Sequence, residues 1–154
     1  MFNDFKELLS IFNTRNVKYL IVGGYAVSFH AQPRATKDID LLVKPDAGNA
    51  KAVYAALAEF GAPLEGLKAD DFADRGKFFR MGHAPVMVDI LSHIDGVDFD
   101  RAWENRIDAV IDPQRGITAP FISIQDLIAA KLAAGRPQDL ADVAALRQVA
   151  DPGT

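Results

Sequence analysis

Two aspartates separated by one residue are the first side chains of this sequence whose type and spacing suit chemistry. Asp38 and Asp40 lie in the run Asp-Ile-Asp-Leu-Leu-Val at 38–43, which predicts a β-strand. Side chains alternate between the faces of a strand, so both carboxylates are expected on one face and Ile39 on the other. Two neighbouring carboxylates repel each other, and a divalent cation such as Mg²⁺ would turn this repulsion into coordination. The alternative is a solvated strand end, which is the commoner reason for an isolated Asp-x-Asp.

A pair of glycines stands where a predicted strand becomes a predicted helix. Gly23 and Gly24 follow the β-rich run at 17–22 and precede a short helical segment at 25–30. Glycine lets a phosphate approach the backbone closely, and the amides of a first helical turn supply hydrogen-bond donors. The pattern is neither a Walker loop nor Gly-x-Gly-x-x-Gly, so it predicts neither a P-loop nor a Rossmann site. A plain turn is the alternative for Gly-Gly alone.

A third acid lies among apolar residues further along the chain. Asp89 belongs to the run Val-Met-Val-Asp-Ile-Leu at 86–91, which also predicts a strand. An unpaired buried carboxylate is expensive, so Asp89 must face solvent, a partner or a metal. The ordinary alternative is an acid at an alternating position on a half-exposed sheet.

In combination, these residues resemble the nucleotidyltransferase superfamily, which has the fold of DNA polymerase β. Its signature is Gly-Gly or Gly-Ser, a short helix, Asp-x-Asp or Asp-x-Glu, and a third carboxylate on a later strand. The matching residues of this chain are Gly23, Gly24, Asp38, Asp40 and Asp89.

Two stretches are most similar to a small bacterial branch, that of the AbiEii/AbiGii toxin-like nucleotidyltransferases. The first is Gly-Gly-x-Ala followed by Arg34-x-Thr36-x-Asp-Ile-Asp, and the second is the pattern from Ile124 to Asp142, which includes Lys131 and Asp139. The C-terminal stretch also has an ordinary interpretation, as a helix hairpin tied by charge pairs. The ordinary alternative for Arg34 is a solvated loop arginine.

The resemblance implies an enzyme that transfers a nucleoside monophosphate from an NTP to an acceptor hydroxyl and releases pyrophosphate. Asp38 and Asp40 would hold two Mg²⁺ or Mn²⁺ ions ~3.5–4 Å apart, and Asp89 would complete the second metal site and orient the acceptor. The glycine pair would cradle the β- and γ-phosphates. The implied nucleotide-binding residues are Gly23, Gly24, Arg34, Thr36, Lys131 and Asp139.

The implied partners are an NTP and an acceptor, which is RNA, a protein or a small molecule. Toxin-like relatives imply RNA and a cognate antitoxin-like protein, whereas other branches modify proteins or aminoglycoside-like molecules. The basic residues that would line one side of a cleft are Arg34, Lys37, Arg75, Lys77 and Arg80. Two alternatives stay open: a non-catalytic nucleotide-binding or interaction module, as in a toxin–antitoxin system, and a metal-dependent phosphohydrolase.

Composition restricts the class of protein. The chain has 154 residues, of which 49% are hydrophobic, and 17 basic against 21 acidic residues give a net charge of −4. These values are typical of one soluble globular domain, and they exclude disorder and disulfide scaffolds. The absence of cysteine excludes thiol nucleophiles and zinc fingers. No apolar run approaches the ~20 residues of a membrane span, and the N-terminus predicts no signal peptide, so we expect a cytoplasmic protein away from membranes.

The helices and strands that must position these residues are predicted from hydrophobic periodicity and from the residues that end regular structure, such as proline and glycine. Helices are predicted at 5–12, 25–30, 50–60, 124–134 and 137–149. Asn3 or Asp4 is expected to cap the first of them, and Asn49 the one at 50–60. Strands are predicted at 77–81 and 109–111 as well as at 17–22, 38–43 and 86–91, with a turn at 82–85 and a helical turn at 99–103. We therefore predict an α/β (α+β) nucleotidyltransferase fold, in which a mixed sheet is flanked by helices and followed by a C-terminal helix pair. The domain is expected to span 1–154, with the sheet-containing core at 1–120 and the helix pair at 121–154.

Overall fold

The computed structural model describes residues 1–83 and 86–152. The predicted turn at 82–85 is wrong for Gly82 and His83, which continue a strand. The last two residues of that turn lie outside the described range, as do the last two of the predicted C-terminal region. Within the described residues, the strands are β1 (Tyr19–Val22), β2 (Asp38–Val43), β3 (Phe78–His83), β4 (Val86–Leu91), β5 (Ile107–Asp112) and β6 (Ile117–Phe121). The helices are α1 (Asn3–Thr14), α2 (Gly23–His30), α3 (Ala47–Phe60), α4 (Phe99–Glu104), α5 (Ile124–Ala134) and α6 (Pro137–Ala150), with a 3₁₀ turn at Ala69–Ala73.

The strands form one mixed sheet in the order β3-β4-β2-β1-β6-β5. The pairs β1–β2, β3–β4 and β5–β6 are antiparallel, whereas β2–β4 and β1–β6 are parallel. The sheet is flanked by helices, so the predicted fold class is confirmed. Because β4 pairs directly with β2, residues that are almost fifty positions apart become neighbours.

The sheet and two helices enclose the apolar core on the face opposite Asp38 and Asp40. The β2 residues that alternate with the acids, such as Ile39 and Leu41, are fully buried. Helix α1 contributes its periodic apolar stripe, Phe5, Leu8, Leu9 and Phe12, all of it fully buried. Among residues 1–83 and 86–152, no helix is long and apolar enough to cross a membrane.

The predicted helix caps are wrong. Helix α1 begins at Asn3 with Phe2 as its N-cap and has no side-chain cap bond. Helix α3 begins at Ala47, three residues earlier than predicted, because Asp46 accepts the hydrogen bond of the Asn49 backbone amide at 2.7 Å. Asn49 instead binds backbone groups: its Oδ1 accepts from Lys18 N at 2.8 Å, and its Nδ2 donates to the oxygens of Lys18 and Lys44. A buried asparagine therefore ties the start of β1 to the end of β2.

Strand β6 was not predicted, and β5 is longer than the predicted 109–111. The run Ile-Thr-Ala-Pro-Phe of β6 contains Pro120, which lacks an N–H and argues against a strand between two others. In the structure Pro120 pairs with Asp108 of β5, and the parallel pairing of β6 with β1 is confined to Ile21 and Phe121. The short pairing with β1 shows how the sheet accommodates an interior proline.

Candidate active site

The three acids lie on one face of the sheet. In the parallel pairing of β2 with β4, Asp40 is the partner of Asp89, and Asp38 is the partner of Met87. Partners in adjacent strands project their side chains to the same face. Asp38 lies two residues from Asp40, so its carboxylate shares that face. The structure therefore brings together carboxylates from two strands that are distant in sequence.

Burial and neighbouring charge perturb the central acid. The pKa of Asp40 rises from 3.8 to about 7, first because burial disfavours its charged form, then because of the charge of Asp89, a hydrogen bond with the Asp89 side chain and the charge of Asp38. Lys131 opposes this rise. The Asp40 carboxyl therefore holds its proton to a higher pH than an exposed aspartate does. Such a perturbed carboxyl is typical of functional sites.

Arg80 of β3 contacts two of the three acids. Its Nε lies 2.7 Å from Asp89 Oδ1 and its Nη2 lies 3.0 Å from Oδ2, a two-pronged contact. The same Nη2 lies 3.6 Å from Asp38 Oδ2. The sequence predicts Arg80 only as one of several basic residues along a cleft. The predicted turn at 82–85 would set Arg80 opposite Met87, whereas the longer β3 of the structure pairs Arg80 with Asp89 directly.

The glycine pair lets the start of α2 close onto the acids. Gly23 adopts the left-handed conformation with φ of +67°, and a Cβ added there would collide with the Asp40 carboxylate. A Cβ at Gly24 would lie 3.0 Å from Thr36 Cγ2. Glycine at the first position is thus required both by the backbone conformation and by the approach of Asp40.

Lys131 on α5 is held by two buried aspartates of α6. Its Nζ lies 3.3 Å from Asp139 Oδ1 and 3.0 Å from Asp142 Oδ2, and the exposed fractions of these aspartates are 1% and 2%. Asp139 also accepts from Arg136 Nε at 2.6 Å, the main cause that lowers the Asp139 pKa to about 2. Asp142 accepts from Arg34 Nη2, also at 2.6 Å. The helix pair is therefore tied by charges, as the ordinary interpretation predicted, and the same ion pairs fix the position of the Lys131 ammonium.

A cavity of about 280 Å³ separates the acid face from the two C-terminal helices. Of the predicted site residues, those along its wall are Gly23, Asp40, Lys131 and Asp139. Among the described residues, its lining does not include Gly24, Arg34, Thr36, Asp38 or Asp89. Arg34 reaches α6 instead, and Thr36 packs against Gly24. The structure thus gathers part of the predicted site around one cavity, and the rest of that site does not line it.

The donor chemistry of the acid cluster suits a hard divalent cation. Mg²⁺ and Mn²⁺ take carboxylate oxygens, and Asp38 and Asp40 present such oxygens on one face. Within the described ranges, no group of three or more His, Cys, Asp or Glu side chains is arranged to hold a metal ion together. In this arrangement, the guanidinium of Arg80 offsets part of the negative charge instead. Asp38 and Asp40 therefore fit a cation, while Asp89 is engaged by Arg80.

Comparison with known proteins gives a family model and a shared fold. The model of the family described as "Nucleotidyltransferase of unknown function (DUF6036)" matches residues 1–151. No curated protein matches the chain. The fold is similar to that of the lincosamide antibiotic adenylyltransferase LnuA in its lincomycin-bound crystal structure, with a TM-score of 0.56 and 18% identity over 97% of this chain and 98% of that chain. It is also similar to the solution structure of the antibiotic-resistance factor ANT(2'')-Ia, with a TM-score of 0.60 and 14% identity over 97% of this chain and 83% of that chain. At these identities the solved structures establish the fold.

Proposed function

The chain belongs to the DUF6036 family of nucleotidyltransferases, and on that basis we propose that it moves a nucleoside monophosphate from an NTP to an acceptor hydroxyl in a reaction that depends on Mg²⁺ or Mn²⁺. The observation that carries the proposal is the register of β2 and β4. It places Asp38, Asp40 and Asp89 on one face, beside the glycine turn at the start of α2. Together with the polymerase β-like fold, this arrangement supports nucleotidyl transfer above the other uses of an acid cluster.

The proposed reaction forms one bond and breaks one. The acceptor oxygen bonds to the α-phosphorus of the NTP, and the bond from that phosphorus to the bridging oxygen breaks. Pyrophosphate leaves with the electron pair of the broken bond, and the hydroxyl proton is released. Such a transfer requires mainly the positioning of reactants and the neutralisation of charge.

Asp38 and Asp40 are the proposed cation ligands, with Asp89 as the third acid. When bound, the cation neutralises triphosphate charge and lowers the pKa of the acceptor hydroxyl. Asp89 would orient the acceptor once its oxygens are free of Arg80. These roles are supported by the shared face of the three side chains and by the raised pKa of Asp40.

The glycine turn and Lys131 are the proposed triphosphate contacts. The backbone amides at the start of α2, next to Asp40, are the proposed hydrogen-bond donors to the phosphate oxygens. Lys131 lines the same cavity as Asp40, and Asp139 holds the lysine there. Arg34 and Thr36 stay predictions as phosphate contacts, since neither lines the cavity and their contacts are with Asp142 and Gly24.

Gly23→Ala is expected to lower nucleotidyl transfer roughly a hundredfold, because the new methyl group displaces the Asp40 carboxylate and a misplacement of about 1 Å has effects of this size. The matched control is Gly116→Ala, whose φ of +66° is almost the same and whose added Cβ would meet nothing within 4 Å. Both variants are expected to lose about 1–2 kcal/mol of unfolding free energy through left-handed strain. Urea denaturation and labelled transfer measure the two effects, and equal activity in both variants would contradict the role of Gly23.

The proposed acceptor is a small molecule. One solved structure of similar fold is named as an antibiotic adenylyltransferase bound to lincomycin, and another as an antibiotic-resistance factor. The net charge of −4 also gives little attraction for an RNA backbone. RNA and protein acceptors, and an antitoxin-like partner, stay predictions of the toxin-like resemblance.

Incubation with each α-labelled NTP, Mg²⁺ and cell lysate tests this proposal. Label is expected in the small-molecule fraction, with one pyrophosphate released for each label transferred, and EDTA is expected to abolish both. A preparation of the Asp38→Asn variant controls for contaminating transferases. Label in RNA or protein would change the acceptor class. Phosphate release without a labelled acceptor would indicate a phosphohydrolase, and NTP binding without turnover would indicate the non-catalytic module.

A further inference from the structure

The guanidinium of Arg80 engages both oxygens of the third acid. The contacts at 2.7 and 3.0 Å are those of the planar arginine fork on a carboxylate, the strongest common form of charge-assisted hydrogen bonding in proteins. Asp89 is only 8% exposed, and a buried carboxylate needs a compensating positive charge. Arg80 supplies that charge to Asp89 in this structure.

Arg80 is much freer to leave the pair than Asp89. Strand β3 lies at the edge of the sheet, and the Arg80 side chain is 53% exposed. Its side chain is therefore already about half in contact with water. Asp89 lies on β4, between β3 and β2, and its carboxylate is fixed on the sheet face. Departure of Arg80 becomes favourable when another cation takes over the charge of Asp89.

The surroundings of the pair suit such an exchange. Asp40 is the β2 partner of Asp89 in the sheet, and Asp38 Oδ2 lies 3.6 Å from Arg80 Nη2. Three acids thus surround a position that one guanidinium partly neutralises. A divalent cation that bound the same carboxylates would lie within a few ångströms of the guanidinium and would repel it. The guanidinium and the cation therefore compete for the same oxygens.

We propose that Arg80 is a positioning residue that acts as the internal counter-ion of the acid cluster, binding Asp89 until a divalent cation displaces it. This inference rests on the proposed function, because it requires a cation site at Asp38, Asp40 and Asp89. In this structure Arg80 engages Asp89, one of these three acids. Binding of the cation and release of Arg80 are then one event.

Binding of Mn²⁺ without nucleotide, measured by electron paramagnetic resonance of the free ion, tests the competition independently of turnover. Arg80→Gln is expected to bind Mn²⁺ about tenfold more tightly than the wild-type protein, because a charge-assisted contact no longer opposes binding. Arg15→Gln is the matched control. Arg15 also binds a carboxylate through Nε, that of Glu59 at 2.8 Å, but it lies at the end of α1. This control is expected to leave Mn²⁺ affinity unchanged.

Arg80→Lys gives a second test that keeps the charge and removes the fork. Its Mn²⁺ affinity is expected to lie between those of the wild-type and Arg80→Gln proteins, and it replaces the latter if that variant does not fold. Equal or weaker binding in the Arg80 variants, with Asp38→Asn still weakening Mn²⁺ binding, overturns the inference and leaves the proposed function standing. If neither the wild-type nor the Arg80→Gln protein binds Mn²⁺, the cation site itself is contradicted, and the metal-dependent function fails with it.

Discussion

Asp38→Asn and Asp40→Asn are each expected to lower the rate of nucleotidyl transfer roughly a thousandfold, the scale of losing one group that stabilises transition-state charge. An asparagine amide keeps the size of the carboxylate but loses its charge, and its neutral oxygen is a weaker ligand for a hard cation. The two side chains share one face of β2, and Asp40 lines the cavity. Each substitution is expected to leave the strand intact, because asparagine has nearly the same size as aspartate. The kcat/KM for label transfer from the preferred NTP measures the effect.

Asp4→Asn is the matched control for these variants. Asp4 is exposed in the first turn of α1, so the same chemical change occurs away from the acid cluster. Its activity is expected to equal that of the wild-type protein. Retention of more than about a tenth of wild-type activity by either Asp38→Asn or Asp40→Asn would contradict their assignment as cation ligands.

Asp40→Asn is also expected to stabilise the cation-free protein at alkaline pH. The pKa of Asp40 is about 7 in the folded chain and 3.8 when unperturbed. Between these values the folded state binds more protons than the unfolded state, so the free energy of unfolding falls as pH rises. The fall is expected to be about 2–4 kcal/mol across this window and to level off above pH 7. Asparagine does not titrate, so the variant should lack this decline.

Urea denaturation in EDTA at pH 5 and pH 8 measures this effect. The Asp40→Asn protein is expected to be more stable than the wild-type protein at both pH values, with a clearly larger difference at pH 8, because only part of the decline has occurred by pH 5. Asp139 affects the free energy of unfolding in a separate, more acidic pH range. Its pKa is lowered to about 2, so its stabilisation is present above pH 4 and is lost only as pH falls towards 2. Parallel pH curves for the wild-type and Asp40→Asn proteins would show that Asp40 is not perturbed as described.

Asp40→Asn is expected to lower activity and to raise stability, and these opposite changes distinguish a functional role of Asp40 from a structural one. A residue needed for folding loses both stability and activity when it is replaced. Asp40 is expected to lose activity and gain stability, because its burial beside two other acids disfavours the folded state at pH 8. Acids arranged in this way are typical of sites where function opposes stability.

Local patterns in the sequence determined the elements that carry the acids. The predicted strands at 38–43 and 86–91 and the helix at 124–134 have the same bounds in the structure. Alternation along a strand was sufficient to place Asp38 and Asp40 on one face. The family resemblance, recognised from the glycine pair and three acids, is confirmed by the match over 1–151. The AbiEii/AbiGii branch stays a prediction.

Only the tertiary structure decided how distant segments meet. The parallel register of β2 with β4 brings Asp89 beside Asp40, and the hairpin register then sets Arg80 on Asp89. Likewise, the packing of α5 against α6 places Lys131 between two buried aspartates. Hydrophobic periodicity indicates which face of a single helix or strand is buried. The register between two strands depends instead on how both faces of the sheet pack at once. For that reason the sequence indicates which acids are present, and the folded chain determines which charges offset them.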